Sequence, residues 1–245
     1  MTRTIFLAGA SGVVGRRLVP MLRSKGWQVV GLTRSHAKCE ALAALGAEPV
    51  VADIFDVMEL RRVLAAAKPA VVIHQLTDLP PGLDPERMEE ATARNAHVRD
   101  EGTRNLVNAA LSSGVRRFIA QSVAFAYAEG PVPHHEDDAL AIHAPGRLGI
   151  SARGVASLES QVLGGAFEGV VLRYGRLYGP GTGFDTAVGS APVHIDAAAY
   201  AAALATEAGE SGTFNIAEDD GAVSSEKAKQ RLGWSAGWRP ARMQE

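Results

Sequence analysis

The stretch Thr4-Ile5-Phe6-Leu7-Ala8-Gly9-Ala10-Ser11-Gly12-Val13-Val14-Gly15 limits what this chain can fold into. It opens as a short apolar run, the pattern of a strand buried on both faces. Beyond Gly9 the period changes, and Val14, Leu18, Met21 and Leu22 recur at helical spacing. Glycines between a buried strand and a helix let the backbone turn tightly and approach a ligand closely. The first N–H groups of the helix then face an anion with the helix dipole behind them. The spacing is Gly-x-x-Gly-x-x-Gly, not the Gly-x-Gly-x-x-Gly of many dinucleotide-binding chains. The stretch reads as a pyrophosphate site made by Gly9, Ser11, Gly12, Val13, Val14 and Gly15, with a plain packing turn as the alternative.

The rest of the first half extends that reading. Trp27 to Leu32 is a second strand, followed by Thr33-Arg34-Ser35. An acid at this strand end would accept hydrogen bonds from the adenosine ribose hydroxyls. Arg34 stands there instead, with Ser35 beside it and Lys38 one helical turn on. A guanidinium can hold a 2′-phosphate by a charge-assisted pair, which points to NADP, with NAD as the alternative. A helix is expected over 36–45 and a third strand over 48–52, ending in Asp53-Ile54. Asp53 suits the adenine amino group and Ile54 the ring; Asp53 equally suits the cap of the helix over 56–67. A fourth strand over 70–76 brings His74, Gln75 and Leu76 to the expected nicotinamide ribose. A loop over 80–85 precedes one long helix from about Glu86 to Ser112, and a fifth strand over 116–122 ends in Gln121 and Ser122. Pro20 is a candidate kink in the first helix.

Helices alternating with buried strands imply an α/β chain with a doubly wound parallel sheet, whose ligands lie outside the carboxyl ends of the strands. Gly9, Arg34, Asp53, His74 and Ser122 all fall at such ends. In the second half a helix is expected over 151–163, a strand over 169–174 and a turn-rich extension over 175–181. An alanine-rich helix to about Glu207 follows His194-Ile195-Asp196. A strand over 213–217, a helix over 224–232, and Trp234 and Trp238 folding the tail back complete the chain. His134, His135, Glu136, Asp137 and Asp138 sit in one loop, but adjacent histidines point apart on an extended chain and no second spaced pair joins them. They read as a solvated loop, and no metal is expected.

With 245 residues and a net charge of -2, the chain suits one sizeable core and neither nucleic acid nor an anionic membrane surface. No early cationic and apolar leader and no membrane-length apolar run are read. The single Cys39 excludes an internal disulfide and suits a reducing, cytoplasmic setting.

Together these landmarks resemble the short-chain dehydrogenase/reductase superfamily, in its extended and atypical, NAD-dependent epimerase/dehydratase-like branch. The residues that carry the resemblance are Gly9-x-x-Gly12-x-x-Gly15, Ala52-Asp53-Ile54, Val72-Ile73-His74, Glu101-Gly102-Thr103-Arg104-Asn105-Leu106, Leu172-Arg173-Tyr174-Gly175-Arg176-Leu177-Tyr178-Gly179-Pro180-Gly181, His194-Ile195-Asp196, Phe214-Asn215-Ile216 and Leu232-Gly233-Trp234. The resemblance implies one Rossmann-like domain over 1–245. Its nucleotide-binding part would be about 1–165, with a small C-terminal substrate-side extension drawn mainly from 175–245. It also implies a small-molecule substrate and pairing of two copies through the long helix.

The departures carry chemistry. Family members bear Tyr-x-x-x-Lys after the fifth strand, often with a glutamate four residues on. Glu159 fits the glutamate, which sets Ser151 at the tyrosine and Val155 at the lysine, so both catalytic groups would be absent. Ser122 approximates the family's serine or threonine, although alignment on Tyr127 would put Val123 there. Tyr174 replaces a proline and is expected close to the nicotinamide. Tyr174 or Tyr127, with Ser122, is therefore the expected proton donor if there is one; packing at the pocket wall is the alternative. The span 181–194 is short, implying an open site or a cover from another subunit. Two functions follow. One is an NADP-dependent oxidoreductase of a small carbonyl or alcohol. The other is a non-enzymatic NADP-binding redox sensor.

Overall fold

A computed structural model of the chain describes residues 3–241. Strand β1 (Thr4–Ala8) is buried at every position. Its side chains alternate between two cores: Ile5 and Leu7 enter one, Phe6 and Ala8 the other. It is the third strand across a seven-stranded sheet with β2 (Gln28–Thr33), β3 (Glu48–Val51), β4 (Val71–His74), β5 (Arg117–Val123), β6 (Glu168–Tyr174) and β9 (Gly212–Ile216). The order is β3-β2-β1-β4-β5-β6-β9, and every neighbouring pair is parallel. The chain moves outward from β1 to β3, then returns to the other side of β1 at β4. That reversal opens a crevice at the carboxyl ends of β1 and β4.

Helices cover both faces. One core holds α1 (Val13–Ser24), α2 (Cys39–Ala44) and the alanine-rich α7 (Ile195–Leu204); the other holds α3 (Val57–Ala67), α5 (Thr103–Ser112) and part of α6 (Gly146–Leu163). Alanine lets α7 lie close to α1. The contact is locked by Arg17, whose Nε donates to Asp196 Oδ1 at 2.8 Å and whose Nη2 donates to the Pro180 carbonyl at 2.6 Å. The C-terminal segments are thereby tied to the first helix. The tail folds back as expected: Trp234 is buried and donates to the Ala197 carbonyl at 2.8 Å, and Trp238 stacks on Tyr200. α8 (Glu226–Leu232) precedes it. Among the described residues no helix is long and apolar enough to cross a membrane.

Three local expectations are corrected. The long helix from about Glu86 to Ser112 is two helices, α4 (Met88–His97) and α5, joined by a π-helical turn over Val98–Gly102. Such a turn inserts one residue into the helical ladder, and sequence periodicity does not announce it. α6 begins at Gly146 rather than 151. Gly146 has φ +60° and a Cβ on Gly149 would lie 1.8 Å from the Ala144 carbonyl oxygen, so these glycines are part of the helix start rather than a loop. The extension after Gly175 contains β7 (Arg176–Tyr178), which pairs in parallel with β8 (Pro192–His194). Pro20 stands exposed within an α1 that is one continuous element.

Arg117, at the amino end of β5, caps α7 from below. Its Nε donates to the Ala205 carbonyl at 2.6 Å and its Nη2 to those of Ala208 and Gly209 at 2.6 and 2.7 Å. Arg117→Met strands these acceptors, and urea unfolding is expected to show a loss on the order of 3 kcal/mol.

Candidate cofactor and active site

The glycine turn is dictated by backbone contacts. Gly9 has φ +90°, and a Cβ there would lie 2.7 Å from the Gln75 backbone carbonyl. A Cβ on Gly15 would lie 2.3 Å from the Gly9 oxygen. Gly12 N–H donates to that same oxygen at 3.0 Å. α1 starts at Gly12 with no side-chain cap and no acid in its first turn. Its leading N–H groups are thus left for an anion, beside half-buried Ser11 and Val13 and above buried Val14. A cradle that excludes Cβ atoms and offers uncapped N–H groups fits a dinucleotide pyrophosphate.

Next to it, Thr33, Arg34, Ala52, Ile54, Leu76 and Val98 line a largely apolar cleft suited to an adenine ring. Arg34 is exposed at its rim, and the Ser35 N–H donates to Thr33 Oγ1 at 3.2 Å. Asp53 is also exposed. It accepts only the Phe55 N–H, at 3.0 Å, while the cap of α3 is Asp56, which accepts from Glu59 N–H at 3.0 Å. Capping is therefore not the role of Asp53. Ile54 is fixed from behind by Asn105, whose Nδ2 donates to the Ile54 carbonyl at 3.2 Å.

His74 at the end of β4 is buried. Its Nδ1 accepts the Leu76 N–H at 3.2 Å, which leaves Nε2 protonated and donating to Thr103 Oγ1 at 3.0 Å. Burial, with the Arg99 charge nearby, lowers its pKa to about 4. His74 is a neutral positioning residue for Leu76, not an acid or base at neutral pH. Gln75 is buried too; its Nε2 donates to the Tyr174 hydroxyl at 3.3 Å while its Oε1 has no partner. Burial raises the Tyr174 pKa, so its proton is held more tightly than in water. Gln121 is half-buried on β5 beside them.

The other two candidate donors are committed elsewhere. Ser122 is fully buried and its Oγ donates to Glu159 Oε1 at 2.7 Å. Glu159 also receives Arg173 through Nε at 2.9 Å and Nη2 at 2.7 Å, an ion pair with both side chains buried. Arg173 Nη1 donates to the Tyr127 hydroxyl at 2.8 Å, and that hydroxyl donates to Asn215 Oδ1 at 2.7 Å. Burial raises the Tyr127 pKa against the pull of Arg173. The histidine-rich loop braces the same network: His134 stacks on Tyr127, the Glu136 carbonyl accepts from Arg173 at 2.9 Å and Glu136 Oε1 accepts the Asn215 N–H at 2.8 Å. Among the described residues no three His, Cys, Asp or Glu side chains gather as a metal site.

On α6, Val155 is buried in a small apolar cluster with Val123, Ala126, Ala141 and Ala152. Ser151 Oγ accepts a hydrogen bond at 3.1 Å from Nη1 of Arg99, which lies in the π-helical turn and is buried. Sequence reading missed Arg99, because an arginine in the polar half of a long helix looks solvated. Val98, Arg99 and Gly102 of the π turn are all buried.

Residues 9–145 match the family described as NAD(P)H-binding. A curated Streptomyces protein, a 3-diazoavenalumate denitrifying reductase, is 37% identical over 243 residues, covering 91% of this chain and 78% of its own. Among solved structures, a UDP-glucose 4-epimerase of Thermotoga maritima with UDP-glucose superposes with a TM-score of 0.76 at 19% identity, over 96% of this chain and 94% of that one. The Bordetella bronchiseptica enzyme WbmG in complex with NAD gives 0.74 at 18% identity, over 98% and 90%. The chain belongs to the NAD(P)H-binding family, and its fold is that of the UDP-glucose 4-epimerase and WbmG structures.

A pH prediction follows from His74. Its folded pKa lies below the ordinary 6.5, so the folded state binds fewer protons than the unfolded state between about 4 and 6.5. Stability is full above that window and falls as pH drops through it, by about 2 kcal/mol between pH 7.5 and 5. Urea titrations at both pH values should show a smaller drop for His74→Gln than for wild type; equal drops would remove His74 as the cause.

Proposed function

We propose that this protein is an NADP(H)-dependent reductase that replaces a diazo group, in its cationic diazonium form, by hydrogen on an organic acid. One observation carries the reading: the three hydroxyls expected as proton donors are all held within the protein. Ser122 and Tyr127 belong to the Glu159–Arg173 network, and Tyr174 is buried against Gln75 with a raised pKa. Ser151 and Val155, at the family's tyrosine and lysine positions by resemblance, supply neither a phenol nor an ammonium.

A carbonyl gains negative charge on oxygen as it is reduced, and the enzyme must stabilise or protonate it. A diazonium carbon makes no such demand. It takes up one hydride, its C–N bond breaks with the electron pair going to nitrogen, and neutral dinitrogen leaves; atoms and charge balance with no proton. The Streptomyces relative, a denitrifying reductase of a diazo-bearing carboxylate, supports the same chemistry.

NADPH, when bound, supplies the hydride. The chain's residues do the rest. The Gly9–Gly15 turn and the amino end of α1 would hold the pyrophosphate, with Ser11 and Val13 beside it. Ile54 and Leu76 would bound the adenine, with Asp53 at the rim, and Arg34 with Ser35 would hold the 2′-phosphate. His74, Gln75, Gln121 and Tyr174 would close the wall beside the nicotinamide ribose.

Two outcomes test this. Arg34→Ala should weaken NADPH binding in calorimetric titration by about ten- to a hundredfold while leaving NADH within about twofold; equal losses would contradict the phosphate role. NADPH consumption followed optically should be supported by an arenediazonium carboxylate, with dinitrogen released, and Tyr174→Phe, which keeps the ring at the wall and removes only the hydroxyl, should still turn it over. Turnover confined to carbonyls, and lost in Tyr174→Phe, would overturn the reaction.

A further inference from the structure

We propose that Arg99 is the anion clamp of this site, binding a carboxylate of the molecule being reduced. The proposal rests on the reductase reading above and adds to it the charge of the substrate and the group that reads it.

The case begins with what Arg99 lacks. It is 5% exposed, yet among the described residues its one hydrogen bond is to a neutral acceptor, Ser151 Oγ, and it has no ion-pair partner. The other buried arginines are fully engaged. Arg173 holds Glu159 through two nitrogens and Tyr127 through the third, and Arg117 holds three carbonyls and Glu168. A guanidinium has five N–H donors in a planar fork, and Arg99 leaves most of them unused. Taking a cation out of water with so little compensation is costly unless an anion completes the site.

Arg99 is not fully sealed from solvent, and among the described residues its Nε and Nη2 make no hydrogen bond. Burial lowers the Arg99 pKa to about 10, with the Glu159 charge opposing, and the group stays charged at neutral pH.

Position decides which anion. Arg99 lies near His74 at the end of β4 and touches Ser151 on the first half of α6. The phosphates of a dinucleotide would have other partners: the uncapped start of α1 for the pyrophosphate and Arg34 for a 2′-phosphate. Their nicotinamide end carries neutral ribose hydroxyls. The anion left for Arg99 is therefore on the second ligand. A carboxylate matches the fork by two parallel N–H···O bonds. Arg99 lies in the π-helical turn, where it is buried with Val98 and Gly102.

The test uses binding and stability, not turnover. Benzoate and cinnamate, with benzamide and cinnamamide as neutral controls, are titrated into the NADP-loaded protein. Wild type should bind the carboxylates and not the amides. Arg99→Gln should lose carboxylate affinity by about tenfold or more, Arg99→Lys should lose less, and NADP affinity should stay within about twofold in both. Arg99→Met should melt at or above the wild-type temperature, because it removes a buried charge with no ion-pair partner among the described residues. Carboxylate affinity unchanged in Arg99→Gln, a loss of NADP affinity instead, or a lower melting temperature for Arg99→Met would each overturn the clamp. Carboxylate binding through Arg99 without turnover of any diazonium acid would sustain the clamp and overturn the reaction.

Discussion

The buried ion pair of Glu159 and Arg173 joins the parts of this molecule that matter for chemistry. It links α6 to β6, draws in Ser122 from β5, and passes through Tyr127 to Asn215 on β9. Two charges taken from water hold each other with good geometry only if their remaining donors and acceptors are filled, and here they are. The consequence is chemical. Hydroxyls that stand at strand ends, where a reductase would keep its proton donor, are used to satisfy the pair. These hydroxyls are thereby engaged within the protein, while the N-terminal half keeps a glycine turn shaped by direct backbone contact.

The same division fits a hydride acceptor that expels a neutral leaving group. Such a reaction asks the protein to hold two ligands in register and to keep water out, a matter of positioning and electrostatics. In the proposed arrangement Arg99 would supply charge to the second ligand, and Arg34 and the start of α1 to the cofactor. Arg17 ties Pro180 and Asp196 to α1, so the segments that would cover the second ligand move with the nucleotide half.

Much of this was legible in the sequence, for identifiable reasons. A strand buried on both faces writes an unbroken apolar run, so β1, β2, β4, β5 and β6 were readable, and their ends located the cofactor crevice. Gly9, Gly12 and Gly15 were readable because a backbone contact that excludes Cβ leaves no other residue. The π turn was not, because one extra residue in a helix leaves the flanking periodicities intact; Arg99 was lost with it. β7 and β8 are three residues each, too short to write a period. The partners of Ser122 and Tyr127 come from up to 88 residues away, and no local pattern records them. Asp53 was misjudged as a possible cap by three positions, since either Asp53 or Asp56 satisfies the local rule.

The central claim is that the hydrogen placed on the substrate comes from the cofactor and that the protein donates no proton to the product carbon or its leaving group. Transfer of label from NADPH deuterated at the reactive nicotinamide position to an arenediazonium carboxylate in ordinary water tests it most directly. One deuterium in the product at the former C–N carbon, with dinitrogen released in equal amount, is the predicted result. A product carrying hydrogen from water, or a reduced nitrogen retained on the ring, would contradict it.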